Sequence, residues 1–199
     1  MTAPTNFSEE LDFYLYVSSK VQKAFNVLPA TVLKDSRCVL PKQWWSVWRC
    51  ELLFTDAVGQ QHVVLFTNAV TCLSFICLGF CDDFAGLVSE FEGAFLNSLQ
   101  ANGLQLPDGV STQTRLLQGQ PRQLIGTMKQ LSRFACILIS EDSLSPAKVE
   151  QRLLRSHCSI LEDKFPGRAY VKQLDANPPF GTEIKLADDV IIPFPGVEL

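Results

Sequence analysis

The sequence predicts an α+β fold, in which a small antiparallel sheet with a central hairpin packs against three helices. Two β-type segments, residues 43–55 and 62–66, are separated by a short polar stretch with a Gly, which is typical of an antiparallel hairpin. Segments with apolar residues at helical spacing follow them. Five of the eleven Pro residues lie after residue 165. We therefore expect residues 1–164 to form one α+β domain and residues 165–199 to form an extended Pro-rich tail that wraps it.

The composition is that of a globular protein with its own core. Of the 199 residues, 47% are apolar and 19% are charged, and a chain of this length buries a core without metals or disulfides. The net charge of -4 argues against nucleic acid as the main partner, because binding to phosphates needs a basic surface. The longest apolar run, residues 70–81, is too short to span a bilayer, so we expect no membrane contact.

The cysteines indicate a reducing compartment. There are seven of them, most lie in apolar runs, and the N-terminal segment does not have the form of a signal peptide. We therefore expect a cytoplasmic protein whose thiols are free and buried. Cys72, Cys77 and Cys81 are spaced by five and four residues and lack the second close pair of a structural zinc site, which favours core packing over metal binding.

The N-terminal half is predicted to consist of strands. Residues 13–17 are aromatic and β-branched, which indicates a short strand, and residues 27–41 form a long connection. In residues 43–55, alternation places one set of side chains on the core-facing side: Trp44, Trp48, Cys50, Leu52 and Phe54. Residues 56–61 form the hairpin turn. Residues 71–80 fit either a buried strand or a short buried helix, because periodicity does not distinguish the two.

Three helices are predicted in the second half. Residues 82–102 carry an apolar stripe, with an Asp at the start as N-cap and Gly103 as the C-terminal stop. A second helix begins with a Pro and covers residues 121–139, and a third covers residues 145–158. Weaker β-type signals lie in three places: residues 113–117, 183–186 and 190–192.

The second helix has a basic face opposite its apolar stripe. Arg122, Lys129 and Arg133 fall within about 40° of one another around the helix axis. This pattern fits a surface that meets phosphate, nucleic acid or an acidic partner, and it also fits an ordinary solvated helix face. Trp45 likewise has two interpretations, an exposed anchor for a partner protein or a ring packed between the hairpin and a helix.

No constellation of residues predicts catalysis. His62 begins a strand and is expected at the surface. His157 and Cys158 are neighbours on a helix and point about 100° apart, which argues against a hydrogen bond between them. The sequence contains neither a phosphate-cradling glycine loop nor a nucleophile elbow. We therefore predict no catalytic residue, no metal and no cofactor.

Five segments follow the pattern of a known family. They are an N-terminal strand leading to Lys20, a strand that begins at Trp44, a strand that closes in Phe66-Thr67-Asn68 with Thr71 three residues on, an amphipathic helix, and a later helix with Gly126-Thr127-Met128-Lys129. Over roughly residues 13–140 the chain resembles domain-of-unknown-function family 6933, a set of small bacterial proteins. The resemblance implies an α+β fold, and it brings no established activity and no catalytic residues.

Within this resemblance, three residues are interpreted as structural. We expect Asn68, with Thr71 beside it, to satisfy backbone groups where the strand turns into the next segment. Gly126 inside a helix costs about 1 kcal/mol relative to Ala. A Gly at this position therefore indicates that the backbone of another element approaches it closely.

The favoured hypothesis is a non-enzymatic cytoplasmic protein-interaction module with an unidentified protein partner. It predicts an exposed apolar patch of more than about a few hundred Å², around Trp45. The alternative is a nucleic-acid-binding protein that uses Arg122, Lys129 and Arg133. An enzyme whose site is assembled from distant residues is a third hypothesis, which a deep pocket with titratable groups would support.

Overall fold

The computed structural model describes residues 10–28, 32–34, 42–56, 58–118 and 125–181. The strands in these residues are β1 (Glu10–Val17), β2 (Leu33–Lys34), β3 (Val47–Thr55), β4 (Gln61–Asn68), β5 (Ser74–Phe80) and β6 (Ser111–Gln118). The helices are α1 (Ser19–Ala24), α2 (Phe84–Ala101), α3 (Ile125–Ser140), α4 (Pro146–Leu154) and α5 (Pro166–Ala176), and a 3-10 turn follows at Pro179–Gly181. None of the described helices combines the length and the apolar character that crossing a membrane requires.

The sheet is mixed rather than antiparallel, which corrects the sequence prediction. Its strand order is β2-β6-β1-β3-β4-β5. β1 runs parallel to β3 and β6, and β2 runs parallel to β6, whereas β3–β4 and β4–β5 are antiparallel pairs. Parallel neighbours need long crossovers, and the connection from β5 through α2 brings β6 back beside β1. The described residues therefore form a mixed α/β fold with a larger sheet and more helices than predicted.

The predicted central hairpin is confirmed as β3 and β4. These strands pair antiparallel, with Trp48 opposite Asn68 near one end. The register shifts between Leu52 and Phe54, so a bulge interrupts the alternation that the sequence predicts for the core-facing side. As a result, Leu52 and Phe54 pack against different hydrophobic clusters on opposite faces of the sheet.

One face of the sheet forms an aromatic layer, which we define as the buried cluster covered mainly by α2 and α5. Its fully buried rings include those of Phe13, Trp48, Phe66, Phe91 and Phe95. The centroid of the Phe91 ring lies 4.5 Å from that of Phe66 and 4.9 Å from that of Trp48. Contacts of this kind add to the free energy gained from burying apolar area.

The helix predicted at residues 82–102 is confirmed as α2. Asp83 is its N-cap, and its carboxylate accepts a hydrogen bond from the Gly86 N–H at 2.8 Å. After the last turn, Gly103 has a φ of +84°, a backbone conformation that Gly adopts without strain. The ends of α2 are therefore set by residues that the sequence identifies.

The opposite face forms a mixed layer, in which α3 packs over β3 and α4 packs over β5. Met128, Leu131, Ala135 and Leu138 of α3 are buried there, which confirms this part of the predicted apolar stripe. Charged side chains of β3 share the same face, because Arg49 alternates with residues that point into the aromatic layer. The mixed layer thus contains both apolar and charged groups.

The chain after residue 165 begins as a helix, which corrects the predicted extended tail. Pro166 lies in the first turn of α5, where its missing N–H group costs no hydrogen bond. Tyr170 and Leu174 of this helix are buried in the aromatic layer. The two strands predicted near the C-terminus lie within residues 182–199, outside the described residues.

Residues 71–80 resolve into a turn and β5, a strand at the edge of the sheet. The Ile76 N–H donates to a Glu150 oxygen at 2.6 Å, and the Leu78 N–H donates to a Glu90 oxygen at 3.1 Å. Burial raises the pKa of Glu150 to about 7, against the lowering effect of the Ile76 hydrogen bond. Two glutamates, one from α2 and one from α4, therefore occupy donors on the outer side of the edge strand.

Candidate functional site

A pocket opens between β3 and α3 on the mixed layer, and we refer to it as the β3–α3 pocket. It has a volume of about 400 Å³, which is enough for a small molecule. Three elements supply its lining residues: Lys20 from α1; Arg49, Glu51, Leu52 and Leu53 from β3; and Ile125, Met128, Lys129, Ser132, Arg133 and Cys136 from α3.

The β3–α3 pocket carries an excess of positive charge. Four of its lining side chains are cationic and one, Glu51, is anionic. The whole chain, in contrast, has a net charge of -4. The pocket is therefore a local region of positive potential on an acidic protein, and such a region attracts anions.

Arg49 is the most buried cation of the pocket. Its side chain is 7% exposed, and its Nη2 lies 2.8 Å from Oε2 of Glu51. Its Nε has no hydrogen-bond partner among the described residues. Leaving a buried charged donor unpaired costs free energy, and Arg49 is therefore a lining residue with an unsatisfied N–H group.

Strand alternation explains why Arg49 reaches this position. Trp48 and Cys50 point into the aromatic layer, so Arg49 and Glu51 must point to the other face of β3. β3 lies between β1 and β4 inside the sheet, which removes the guanidinium from solvent. The ion pair with Glu51 compensates part of the desolvation cost.

α3 forms one wall of the pocket through residues three and four positions apart. Lys129 and Arg133 are exposed at the rim, whereas Oγ of Ser132 is buried and has no hydrogen-bond partner among the described residues. Burial raises the pKa of the Cys136 thiol, and the nearby charge of Lys20 partly offsets this effect. The wall thus offers two cations and a hydroxyl, while the thiol stays protonated at neutral pH.

The chemistry of the pocket suits binding better than catalysis. Guanidinium, ammonium and hydroxyl groups are donors that match the oxygens of a phosphate or carboxylate. In the described lining, Glu51 is engaged by Arg49 and the pKa of Cys136 is raised, so neither group is an activated base or nucleophile. Leu53 and Met128 add apolar surface for the rest of a ligand.

The structure brings together two of the three basic residues predicted on α3. Lys129 and Arg133 both line the β3–α3 pocket, while Arg122 lies outside the described residues. Their exposure agrees with a helix face turned away from the apolar stripe. In the folded protein, Lys20 of α1 and Arg49 of β3 lie at the same pocket. The basic face of α3 therefore forms one wall of a pocket that also contains cations from two other elements.

The sequence does not predict that Lys20, Arg49 and Ser132 line a pocket. One signal was present: Arg49 stands between Trp48 and Cys50 in a strand that is otherwise rich in apolar residues. An arginine at an inward-facing position of an inner strand indicates a paired or functional charge. Lys20 and Ser132 gave no such signal, because each is an ordinary residue of a helix.

Trp45 does not line the pocket. It is half-buried and packs against the aromatic layer, with its ring centroid 5.8 Å from that of Trp44 and the two rings nearly perpendicular. The structure therefore gives this ring an internal packing contact.

Asn68 and Thr71 organise the turn between β4 and β5. The side-chain amide of Asn68 donates to the carbonyls of Trp44 at 2.8 Å and Val47 at 3.3 Å. Its Oδ1 accepts from the Thr71 N–H at 2.9 Å and from the Thr71 hydroxyl at 3.0 Å. Both side chains are fully buried. Their hydrogen bonds satisfy polar groups that water does not reach.

Among the described residues, no other backbone approaches Gly126, contrary to the sequence interpretation. It is the second residue of α3, and no described atom lies within 4 Å of a Cβ added there. The position is exposed. Steric need therefore does not explain this glycine.

His62 is buried, which corrects the expected surface position. It is 4% exposed, with Nδ1 2.9 Å from Oγ1 of Thr55 and Nε2 3.1 Å from the carbonyl oxygen of Ala24. Sγ of Cys81 lies 3.5 Å from the same Nε2. A carbonyl only accepts, so Nε2 carries the proton. This nitrogen is therefore not a base for the Cys81 thiol.

The cysteines considered for zinc binding do not converge. Cys72 belongs to the mixed layer, Cys77 belongs to the aromatic layer, and Cys81 is exposed. Within the described part of the chain, no group of three or more His, Cys, Asp or Glu side chains is arranged to hold a metal ion. Cys72 and Cys77 are separated by the sheet and cannot share a tetrahedral site.

A family match covers most of the chain. The family described as Domain of unknown function (DUF6933) matches residues 14–169. The chain belongs to this family. The resemblance expected from the sequence is thereby confirmed, and every lining residue of the β3–α3 pocket lies within the DUF6933 region. No curated protein and no solved structure matches this DUF6933 chain.

Proposed function

We propose that this DUF6933 protein is a non-enzymatic binding protein whose β3–α3 pocket holds a small molecule with a phosphate group. The observation that carries the proposal is the buried guanidinium of Arg49, which has one carboxylate partner and an unused Nε–H. Four cations against one carboxylate leave the pocket with a net of three positive charges. A phosphate monoester, with up to about two negative charges, matches this excess better than a monocarboxylate does.

The shape of the site favours a small ligand over a macromolecule. The volume of about 400 Å³ falls in the range typical of small-molecule pockets. Leu53, Ile125 and Met128 provide apolar contacts for the organic part of a phosphate ester. The earlier hypothesis of a protein-interaction surface around Trp45 has less support, because that ring packs against the aromatic layer.

Nucleic acid is the second candidate ligand. The exposed side chains of Lys129 and Arg133 at the rim favour it, because a backbone phosphate can reach them without the chain entering the pocket. The acidic net charge of -4 weighs against it. The two candidates differ in whether Arg49 takes part.

We also propose a reducing, cytoplasmic location. Cys50, Cys72, Cys77 and Cys158 are free and buried, as are the thiols of many proteins in reducing compartments. The proposal predicts that fractionated cells contain the protein with these thiols reduced.

The ligand proposal is tested by isothermal titration calorimetry with phenyl phosphate, inorganic phosphate and benzoate. We expect phenyl phosphate to bind most tightly, because it combines the dianion with an apolar group. The double variant Lys129→Gln/Arg133→Gln should weaken its binding by about tenfold or more, through the loss of two charge-assisted contacts.

Arg168 and Lys172 on α5 provide a matched control, because they are also exposed and four residues apart. The variant Arg168→Gln/Lys172→Gln should bind phenyl phosphate like the unmodified protein. Absence of binding by every phosphate probe, or equal weakening in both double variants, would contradict the proposal. Binding of a single-stranded oligonucleotide that Arg49→Gln leaves unchanged would favour the second candidate.

A further inference from the structure

Two buried thiols meet on the mixed layer, apart from the β3–α3 pocket. Cys72 lies in the turn between β4 and β5, and Cys158 lies in the connection between α4 and α5, 86 positions further along the chain. Their Sγ atoms are 3.5 Å apart and share a hydrogen bond. Cys72 is fully buried and Cys158 is 1% exposed. The fold therefore holds two distant thiols in direct contact.

The surroundings of Cys158 favour its thiolate. Its pKa is lowered, first by the hydrogen bond with Cys72, against the raising effect of burial, and further by hydrogen bonds from the backbone at Ile160 and Leu161 and from the side chain of Thr127. The same contact raises the pKa of Cys72. Of the two, Cys158 is therefore the thiol that ionises first and acts as the nucleophile.

We propose that Cys72 and Cys158 form an intramolecular disulfide when the protein reacts with a peroxide. First, the Cys158 sulfur attacks hydrogen peroxide: an S–O bond forms, the O–O bond breaks, and hydroxide leaves and takes up a proton to become water. Second, the Cys72 thiol loses its proton and its sulfur attacks the sulfenic acid: the S–S bond forms, the S–O bond breaks, and a second water leaves. Two electrons pass from the sulfurs to the peroxide.

The local backbone allows this bond to form. The sulfurs must approach by about 1.5 Å to reach a disulfide length of about 2.05 Å. Cys72 lies in a turn with a φ of 57°, and Cys158 lies in an irregular connection, so neither is fixed within a helix or strand. His157, Ser159 and Ile160 are exposed. A small opening of this connection therefore brings a peroxide to the Cys158 sulfur.

Cys50 and Cys77 provide an internal comparison. Both belong to the aromatic layer, and burial raises the pKa of Cys50 to about 12 and that of Cys77 well above its ordinary value. They lie on β3 and β5, which are separated by β4. Two strand spacings amount to about 9.5 Å, which exceeds the reach of a disulfide.

The experiment uses the full chain with Cys38, Cys81 and Cys136 replaced by Ser, which removes the remaining thiols outside the two pairs. After hydrogen peroxide treatment, intact-mass spectrometry should show the loss of two hydrogen atoms, and peptide mapping should join the Cys72 and Cys158 peptides. Dithiothreitol should reverse the change. The Tm of the oxidised form should rise by roughly 5 to 10 °C, because the cross-link restricts the unfolded chain.

Substitutions at each sulfur separate the two steps. Cys158→Ser should abolish the cross-link, whereas Cys72→Ala should stop the reaction at a Cys158 sulfenic acid that dimedone traps. Cys77→Ala, the matched control, should still form the cross-link. The cross-linking rate should rise with pH and level off at a lower pH than for an ordinary thiol, because the pKa of Cys158 lies below its usual value.

Three outcomes would overturn the proposal. They are a folded protein that resists peroxide while the urea-unfolded protein reacts, a cross-link that joins other cysteines, and a final product in which Cys158 is a sulfinic acid with Cys72 still reduced. Circular dichroism of each variant establishes whether it is folded. If Cys158→Ser does not fold, the trapping experiment with Cys72→Ala decides the question.

Discussion

The two faces of the sheet differ in what they bury. The aromatic layer contains rings packed on rings, such as Phe91 against Phe66 and Trp48. The mixed layer contains apolar residues as well, but it also holds the Arg49–Glu51 ion pair and a pair of touching thiols. A single strand, β3, serves both faces because its side chains alternate.

This difference indicates that the aromatic layer mainly stabilises the fold, whereas the mixed layer is suited to binding. Burial of large rings stabilises the fold at little cost in unpaired polar groups. On the other face, the Nε of Arg49 and the Oγ of Ser132 are buried without partners among the described residues. Unsatisfied groups cost stability, and they persist mainly where a ligand or water completes them. The mixed layer is therefore the face on which we expect function to reside.

The strongest test of this comparison is truncation of a ring buried in the aromatic layer and of a ring exposed on α3. Phe91→Ala should lower the free energy of unfolding by about 3 to 5 kcal/mol, because it opens a cavity among four aromatic rings. Phe134 on α3 is 37% exposed, and Phe134→Ala should cost less than about 1 kcal/mol. Urea denaturation measures both. Equal losses would show that the aromatic layer has no special role.

A second test addresses the turn that leads from β4 to the Cys72 thiol. Asn68→Ala should lower the free energy of unfolding by about 2 to 3 kcal/mol, because it leaves buried carbonyls and N–H groups without partners. Asn97 on α2 is exposed, and Asn97→Ala should change stability by less than about 0.5 kcal/mol. A loss at Asn68 no larger than at Asn97 would contradict the structural role. The measurement is again urea denaturation.

The third test concerns the pH dependence of Glu150, which belongs to the mixed-layer side. Its folded pKa of about 7 lies above the ordinary 4.5, so the folded protein binds the extra proton between these pH values. The stability from this group is present below about pH 4.5 and is lost as the pH rises through about 7. Relative to Glu150→Gln, the unmodified protein should lose about 2 to 3 kcal/mol over this range.

Thermal unfolding recorded at several pH values gives the difference in stability between Glu150→Gln and the unmodified protein. A flat curve for Glu150→Gln would contradict the assignment.

The smallest expected effect lies in the pocket itself. Arg49→Gln should lower the free energy of unfolding by about 1 to 2 kcal/mol, because it leaves the Glu51 carboxylate unpaired in a partly buried site. The double variant Arg49→Gln/Glu51→Gln should recover part of that loss. Both variants should bind phenyl phosphate more weakly. Arg115→Gln, at a 40% exposed arginine of β6, which β1 separates from β3, should bind it normally.

The spacing of apolar residues is sufficient to predict the hairpin and α2, because each of these patterns lies within a short segment of the sequence. The pairing of β6 with β1 is not predictable in this way, since it joins Glu10 to Ser111 across most of the domain. α5 was mistaken for part of a tail because Pro166 was counted as a sign of extended chain. The same residue suits the first turn of a helix.

The candidate site follows the same rule. Helical spacing predicts that Lys129 and Arg133 share a face, and the structure places both in the pocket. Lys20 and Arg49 lie beside these two residues because of the way β1, α1 and β3 pack beneath α3. The spacing of residues along the chain does not predict this packing. The sequence therefore contained half of the basic cluster and no indication that it encloses a pocket.

Glu90 and Glu150, which accept hydrogen bonds from the backbone of β5, also affect whether two molecules of this protein can associate through their sheet edges. An incoming strand would have to displace the carboxylates of Glu90 and Glu150 from backbone donors before it could pair. Among the described residues, β2 at the other edge pairs with only Leu117 and Gln118 of β6. Growth of intermolecular sheets, the first step towards fibrils, is thus hindered at the β5 edge. Strand pairing between molecules should therefore not begin at β5 for as long as the fold is intact.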